Sequence, residues 1–334
     1  MTPQQLQEGI LHGTALVRRR AMSKAITLLE STRADHRLQG DELLTALLPH
    51  AGNAFRLGIS GVPGVGKSTF IEALGLHLIN QGMKVAVLAI DPSSTVSGGS
   101  ILGDKTRMEQ LSVNANAYIR PSPSSGTLGG VAEKTREAML VCEAADYDVV
   151  IIETVGVGQS EIAVQGMTDM FCVLQLPNAG DDLQAIKKGV MELADLVVIN
   201  KADLDPNAAT RAQAQITSSL RLLAMHATAE QHDGRHWSPK VIQMSALQGT
   251  GIDEFWRVVS TYRQLQSGNG QLALRRQRQA MTWMWERIDT GLKQAFRQQP
   301  AVQKLLPQIQ QQVQQGQLAA STAARQLLEA YTNQ

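Results

Sequence analysis

Gly61-Val62-Pro63-Gly64-Val65-Gly66-Lys67-Ser68 fits the pattern G-x-x-x-x-G-K-[ST]. The apolar run Phe55 to Ser60 precedes it, and a helix expected to begin near Thr69 follows, which is the strand-loop-helix context a phosphate-binding P-loop requires. The chemistry follows from the residue types. Glycines let backbone N–H groups turn inward around phosphate oxygens, and the helix behind them presents its positive end. Lys67 is expected to place a cation on the β and γ oxygens, and Ser68 to offer a hydroxyl to Mg²⁺.

Outward from this loop, strand-like runs recur at Lys84 to Ile90, Asp148 to Ile152, Met170 to Leu176, Leu196 to Ile199 and Val241 to Met244, with helical segments between most of them. The runs are continuously apolar rather than alternating, as in strands buried on both faces. The βα alternation therefore predicts an α/β, doubly wound, mainly parallel sheet. Residues 1–50 read as an N-terminal helical extension and 51–266 as the nucleotide domain. After Ser267-Gly268-Asn269-Gly270 the character changes, and 271–334 reads as a helical arm. In that arm Met281, Trp285, Ile288, Leu292 and Ala295 form one helical stripe, which can pack against its own chain or against a second copy. Beyond Pro300 the chain is Gln-rich, yet Val302, Leu305, Ile309 and Val313 keep helical spacing, with a kink expected at Pro307.

Further motifs choose the nucleotide. Asn200-Lys201-Ala202-Asp203 sits at the end of a strand run. An aspartate carboxylate accepts two hydrogen bonds from guanine N1–H and N2–H₂, and adenine offers no such pair. Asn200 is expected to brace the loop and contact the base, and the Lys201 stem to lie over the ring. Ser245-Ala246-Leu247 is expected to give a backbone N–H to guanine O6. On the γ-phosphate side, Glu153-Thr154-Val155-Gly156 ends another run. Glu153 is expected to hold Mg²⁺ through water, and the Gly156 N–H to meet the γ-phosphate. Asp91 and Asp104 bracket a polar, glycine-containing loop with the composition of a mobile switch and are candidate metal or water ligands, although Asp104 beside Lys105 and Arg107 also reads as a solvent-facing charge. Val157 stands where Ras-like proteins carry a water-orienting glutamine, and Gln159 lies two residues on. Slow intrinsic GTP hydrolysis, accelerated by a partner, is the expectation.

Composition adds bounds. The chain has 43% apolar and 18% charged residues, with 31 basic against 30 acidic side chains, so it carries no electrostatic signature of a nucleic-acid or membrane partner. The two cysteines, Cys142 and Cys172, lie in apolar surroundings and lack C-x-x-C spacing, which reads as reduced, buried thiols. The start of the chain has no apolar signal region, and no run reaches the roughly 18 apolar residues of a membrane span, so a cytoplasmic location is expected.

Taken together, G-V-P-G-V-G-K-S-T, the block Asp91 to Met108, E-T-V-G-V-G-Q-S from Glu153 to Ser160, N-K-A-D, Arg120-Pro121-Ser122-Pro123, Gly126 to Gly130 and Leu176 to Gly189 resemble the MeaB/ArgK family of metallochaperone-like P-loop GTPases, which includes the human methylmalonic aciduria type A protein. The resemblance covers nearly the whole chain. It implies a GTPase chaperone of adenosylcobalamin-dependent methylmalonyl-CoA mutase, coupling hydrolysis to cofactor loading and to protection or reactivation of the mutase. It also implies a homodimer formed by the C-terminal helices, and an extra switch loop, Asn178 to Lys188, in which Asp182 and Lys188 are candidate coupling residues. Three other readings compete, one of them a scaffold that binds GTP only as a structural ligand, against which intact Lys67, Ser68 and Glu153 argue. A nickel- or cobalt-delivering GTPase would need a Cys or His cluster, and His232 with His236 reads instead as a surface loop. An ATPase or kinase regulating periplasmic amino-acid transport would need a purine site that tolerates ATP, against which Asp203 argues.

Overall fold

The computed structural model describes residues 1–91, 108–123, 128–154, 160–178, 188–226 and 237–332. Among the described residues seven strands make one sheet: β1 (Phe55–Gly61), β2 (Val85–Asp91), β3 (Ala117–Pro123), β4 (Val149–Thr154), β5 (Met170–Gln175), β6 (Leu196–Ile199) and β7 (Lys240–Gln243). Their order is β3-β2-β4-β1-β5-β6-β7 and every pairing is parallel. β1 lies at the centre with strands wound out to either side, the doubly wound arrangement.

Side chains alternate to the two faces and fill two cores. Leu57 and Ile59 of β1, Val85 and Val87 of β2, and Val149 and Ile151 of β4 face α4 (Lys67–Asn80), α5 (Glu109–Val113) and α10 (Ile252–Gly268). Phe70 of α4 meets Phe255 of α10 edge to face at 4.9 Å. Ala86, Leu88, Val150 and Ile152 face the other way, into a core shared with α1 (Pro3–Leu11), α2 (Ala15–Glu30), α3 (Ala34–Leu47), α6 (Leu128–Ala144) and α9 (Pro206–His226). Two short helices, α7 (Ser160–Gln165) and α8 (Lys188–Glu192), also border that core. Each buried Leu, Ile or Phe contributes about 1.5–3 kcal/mol. The close fit leaves no room for a side chain on β1 at Gly58, where a Cβ would stand 2.8 Å from Val164 and 2.9 Å from Thr168.

Six strands coincide with the apolar runs to within a residue or two. β3 is the seventh, and the sequence conceals it because Pro121 and Pro123 interrupt the run. The structure resolves the conflict. Val85 N–H donates to Asn116 O, so residues 118 and 120 turn their backbone toward β2, and the prolines lack their N–H groups on the outer edge, where no described strand pairs. Helix α2 covers this edge. Arg19 donates to the outward Ala117 carbonyl at 3.1 Å, and Arg120 pairs with Glu30 at 2.5 Å.

The chain divides into two compact units, Met1–Arg276 and Gln277–Gln334. Helices α1 to α3 belong to the first. Helix α11 (Gln271–Gln298) begins in the first unit, and the second adds α12 (Pro300–Gln314), which is continuous through Pro307, and α13 (Ala320–Thr332). Within the second unit Val302, Ile309, Ala323 and Leu327 form a small core, flanked by Phe296 and Tyr331. Met281, Trp285, Ile288 and Leu292 are exposed, Trp285 at 58%.

The base of the sheet, at the N-terminal ends of the strands, is closed by an ionic network. Arg276 reaches the fully buried carboxylate of Asp169 at 2.7 Å and also donates to Gly52 O and Ala54 O. Asp169 accepts the Arg56 N–H at 2.8 Å, and Arg56 pairs with buried Glu143 at 2.6 Å. Arg275 reaches Asp195 at 3.0 Å and the Tyr262 hydroxyl at 2.9 Å. Removing one partner of such a pair strands the other charge out of water. Asp169→Ala is therefore expected to lower stability by about 3 kcal/mol or more, read as a shifted urea midpoint in equilibrium unfolding.

Candidate nucleotide site

The site forms at the opposite end of the sheet, where β1 and β4 finish side by side and β6 ends two strands from β1. β1 ends at Gly61, which is in register with Leu174 of β5 and so close to it that a Cβ would lie 2.7 Å from Leu174 O. The loop then turns through exposed Pro63 and Gly64 and is pinned by Val65, which is fully buried in the core. Gly66 adopts the left-handed conformation, φ 97°, immediately before α4. The helix starts at Lys67, two residues ahead of the expected Thr69, so the N–H groups of its first turn open toward the loop, an anion-attracting arrangement. Lys67 is buried, and its ammonium curls back to donate to Gly61 O at 2.8 Å and Val62 O at 3.3 Å.

Glu153 stands one residue before the end of β4, in register with Ile59 of β1, and is buried. The Ser68 hydroxyl donates to its Oε1 at 3.4 Å. Next to them the Thr154 hydroxyl donates to Ser60 Oγ at 3.0 Å, tying the two strand ends together. A hydroxyl and a carboxylate facing each other at the P-loop are hard oxygen donors of the kind a hard divalent cation takes, so these residues fit a Mg²⁺ ion completed by water and phosphate oxygens. Asp91 ends β2, and its side chain lies outside the described residues. Asp104, Gly156, Val157, Gln159, Asp182, His232 and His236 lie outside them too. Lys188 begins α8, with its side chain outside the described set. Among the described residues there is no group of three or more His, Cys, Asp or Glu that could hold a metal ion.

The third part of the site comes from the ends of β6 and β7. Asn200 is buried and satisfied at both ends of its amide. Nδ2 donates to Val65 O at 2.8 Å, and Oδ1 accepts the Ala246 N–H at 3.0 Å. The Ala246 N–H, a candidate donor to guanine O6, is thus engaged by Asn200 in this structure. Lys201, at φ 60°, extends its ammonium to Gly64 O at 2.8 Å, which lays its stem across the loop. Asp203 is half-buried on the turn that follows, and its Oδ2 accepts from Gln248 Nε2 at 3.4 Å. Ser245 is buried and bridges to Thr250, whereas Leu247 is exposed at the rim. The structure thus brings together the P-loop, Glu153, Asn200, Lys201, Asp203 and Ser245 to Leu247. Gln248 is a neighbour of Asp203 that the sequence motifs do not mark.

A doubly wound parallel sheet with a P-loop at the end of its central strand and an N-K-x-D turn two strands away defines a P-loop GTPase. Comparison with known proteins narrows the class. The family described as Methylmalonyl Co-A mutase-associated GTPase MeaB matches residues 22–301. GTPase ArgK of Escherichia coli K12 is 50% identical over 266 residues, 80% of this chain and 78% of its own. A protein of Mus musculus named Methylmalonic aciduria type A homolog, mitochondrial, is 46% identical over 331 residues, 95% of this chain and 78% of its own. The crystal structure of a protein named LAO/AO transport system kinase superposes with a TM-score of 0.71 at 36% identity, covering 98% of this chain and 95% of that one. The chain belongs to the MeaB family of GTPases, and it hydrolyses GTP.

The Asn200 side chain ties the P-loop to the loop after β7. Asn200→Ala leaves the Ala246 N–H and the Val65 carbonyl without this partner in a buried setting, at about 1–3 kcal/mol. The expected outcome is a lowered melting temperature of the nucleotide-free protein, measured by calorimetry, with a further deficit in stabilisation when GDP is added.

Proposed function

We propose that this GTPase is a chaperone of adenosylcobalamin-dependent methylmalonyl-CoA mutase, coupling GTP hydrolysis to cofactor loading and to protection or reactivation of the mutase. The observation that carries the reading is the family match across residues 22–301, whose description names the mutase. Similarity to the methylmalonic aciduria type A homolog over 95% of the chain supports it. The competing reading, a kinase of an amino-acid transport system, has behind it the name of one similar protein of known structure. The half-buried carboxylate of Asp203 favours guanine, because adenine has no pair of donors to offer it.

In the proposed mechanism the backbone of Gly61 to Thr69 cradles the phosphates. The Lys67 ammonium exchanges its two carbonyl partners for β- and γ-phosphate oxygens. Asn200, Lys201 and Asp203, with Ser245 to Leu247, receive the base. Ser68 and Glu153 would hold Mg²⁺, with Asp91 and Asp104 as further metal or water ligands. A Mg²⁺ ion held by these residues would supply positive charge against that developing on the transferred phosphoryl group. The Gly156 N–H is assigned to the γ-phosphate, and Asp182 and Lys188 to coupling with the mutase. No described helix is long and apolar enough to cross a membrane. A cytoplasmic location is part of the same proposal.

Residues 271–334 are proposed as a dimerisation arm. Their exposed Met281, Trp285, Ile288 and Leu292 lie on one helical stripe that a second copy would cover. Light scattering is expected to give a mass twice the 36.2 kDa of the chain, and Trp285→Asp combined with Leu292→Asp to return it to the monomer value.

The chemistry and the client are tested together by measuring phosphate release from GTP and from ATP, with and without apo or cobalamin-loaded methylmalonyl-CoA mutase. Slow, GTP-selective turnover that the mutase accelerates is the expected outcome. Turnover indifferent to the mutase would remove the proposed client. Glu153→Ala is expected to cut turnover about 10- to 100-fold and to raise the Mg²⁺ concentration needed for half-maximal rate.

A further inference from the structure

The loop after β7 is closed with unusual care for a surface turn. Ser245 N–H donates to Thr250 O at 3.0 Å, and the Gln248 N–H is held by Ser245 Oγ at 3.3 Å. Gly249 and Gly251 both take positive φ, and at Gly251 a Cβ would sit 2.9 Å from Gln243 O. The backbone of Gln248 is therefore fixed relative to buried Ser245, and its side chain is directed at the N-K-x-D turn. There its Nε2 lies 3.4 Å from Asp203 Oδ2. Only the N–H end of an amide can face a carboxylate, which fixes the sense of this contact.

We infer that Gln248 is a positioning residue for guanine selection, orienting the Asp203 carboxylate so that both its oxygens meet the donors of the base. The inference rests on the reading of Asp203 as the guanine-selecting group. A carboxylate offers about four lone-pair sites over its two oxygens. Gln248 occupies one and leaves sites on both oxygens for guanine N1–H and N2–H₂. Rotation of an aspartate carboxylate about its last torsion is broad and roughly two-fold, so an unsupported Asp203 samples orientations that present only one oxygen to the base. A contact from the neighbouring loop narrows that range before the nucleotide arrives, and the ordering is not repeated on binding. The contact is long and solvent-exposed, so its effect is a few-fold and not decisive for binding as a whole.

The test measures dissociation constants of GDP, ADP and XDP for the full-length wild type, Gln248→Ala, Gln248→Glu and Asp203→Asn. Gln248→Ala is expected to weaken GDP about 3- to 10-fold while leaving ADP unchanged, because adenine makes no hydrogen bond to Asp203. The GDP-to-ADP selectivity falls by the same factor, and the KM for GTP rises with it. Gln248→Glu is expected to weaken GDP further, since a like charge beside Asp203 repels it. An equal loss of GDP and ADP, or no change in the GDP constant, would overturn the role of Gln248. Asp203→Asn separately tests the underlying reading, because an amide there should accept xanthine in place of guanine. If it does not shift preference toward XDP, the guanine assignment itself fails, whatever Gln248 does.

Discussion

The Asn200 side chain makes two hydrogen bonds in opposite directions, to Val65 O of the P-loop and from Ala246 N of the loop after β7. Three segments from distant parts of the sequence, each at the end of a different strand, acquire fixed spacing through that one buried amide. The arrangement constrains its surroundings in turn. Gly66 must lack a side chain, since a Cβ would lie 2.7 Å from Asn200 Nδ2, and its left-handed φ is the turn that starts α4. The N-terminus of α4, the curl of Lys67 and the approach of Ser68 to Glu153 all follow from where that helix begins. An amide serves here where a charged group would not, because it offers donor and acceptor together at no cost of burying a charge.

The two ends of the sheet are built on different physics. The upper end holds polar groups in short loops and keeps several of them half-exposed, so that a ligand can exchange with internal partners. Lys67, although buried, is held by the loop itself, its ammonium donating to Gly61 O and Val62 O. The lower end is closed by paired charges, Asp169 with Arg276, Glu143 with Arg56 and Asp195 with Arg275. Burial pushes the Asp195 carboxyl above its usual range, and the Arg275 charge opposes that shift. The cysteines sit within the cores, where desolvation pushes both thiols well up, so they act as small apolar side chains.

The central strands were legible because parallel strands buried on both faces must be continuously apolar, as Val149 to Ile152 and Leu196 to Ile199 are. β3 was not, since its two prolines are acceptable only at an edge, and edge position is a property of strand order. The helical extension of residues 1–50 was legible as helix. That α2 guards the β3 edge through Arg19 and Glu30 was not, because neither residue type nor spacing specifies a partner about a hundred residues away.

The sequence by itself determined the class of chemistry. A P-loop pattern, a strand-end glutamate and an N-K-x-D turn are short, local signals, since each must place a few atoms around a phosphate, an ion or a base edge within one loop. Tertiary structure alone decided how those loops meet. It set the order of the strands, the use of Asn200 as a common tie, and the contact between Gln248 and Asp203. The base-pole residues Arg275 and Arg276 carry no motif at all, and they reach Asp195 and Asp169 only because the sheet brings the starts of β5 and β6 beneath the first turn of α11. Contacts of this kind depend on chain paths that cross the whole domain, and local sequence has no means of encoding them in a readable pattern.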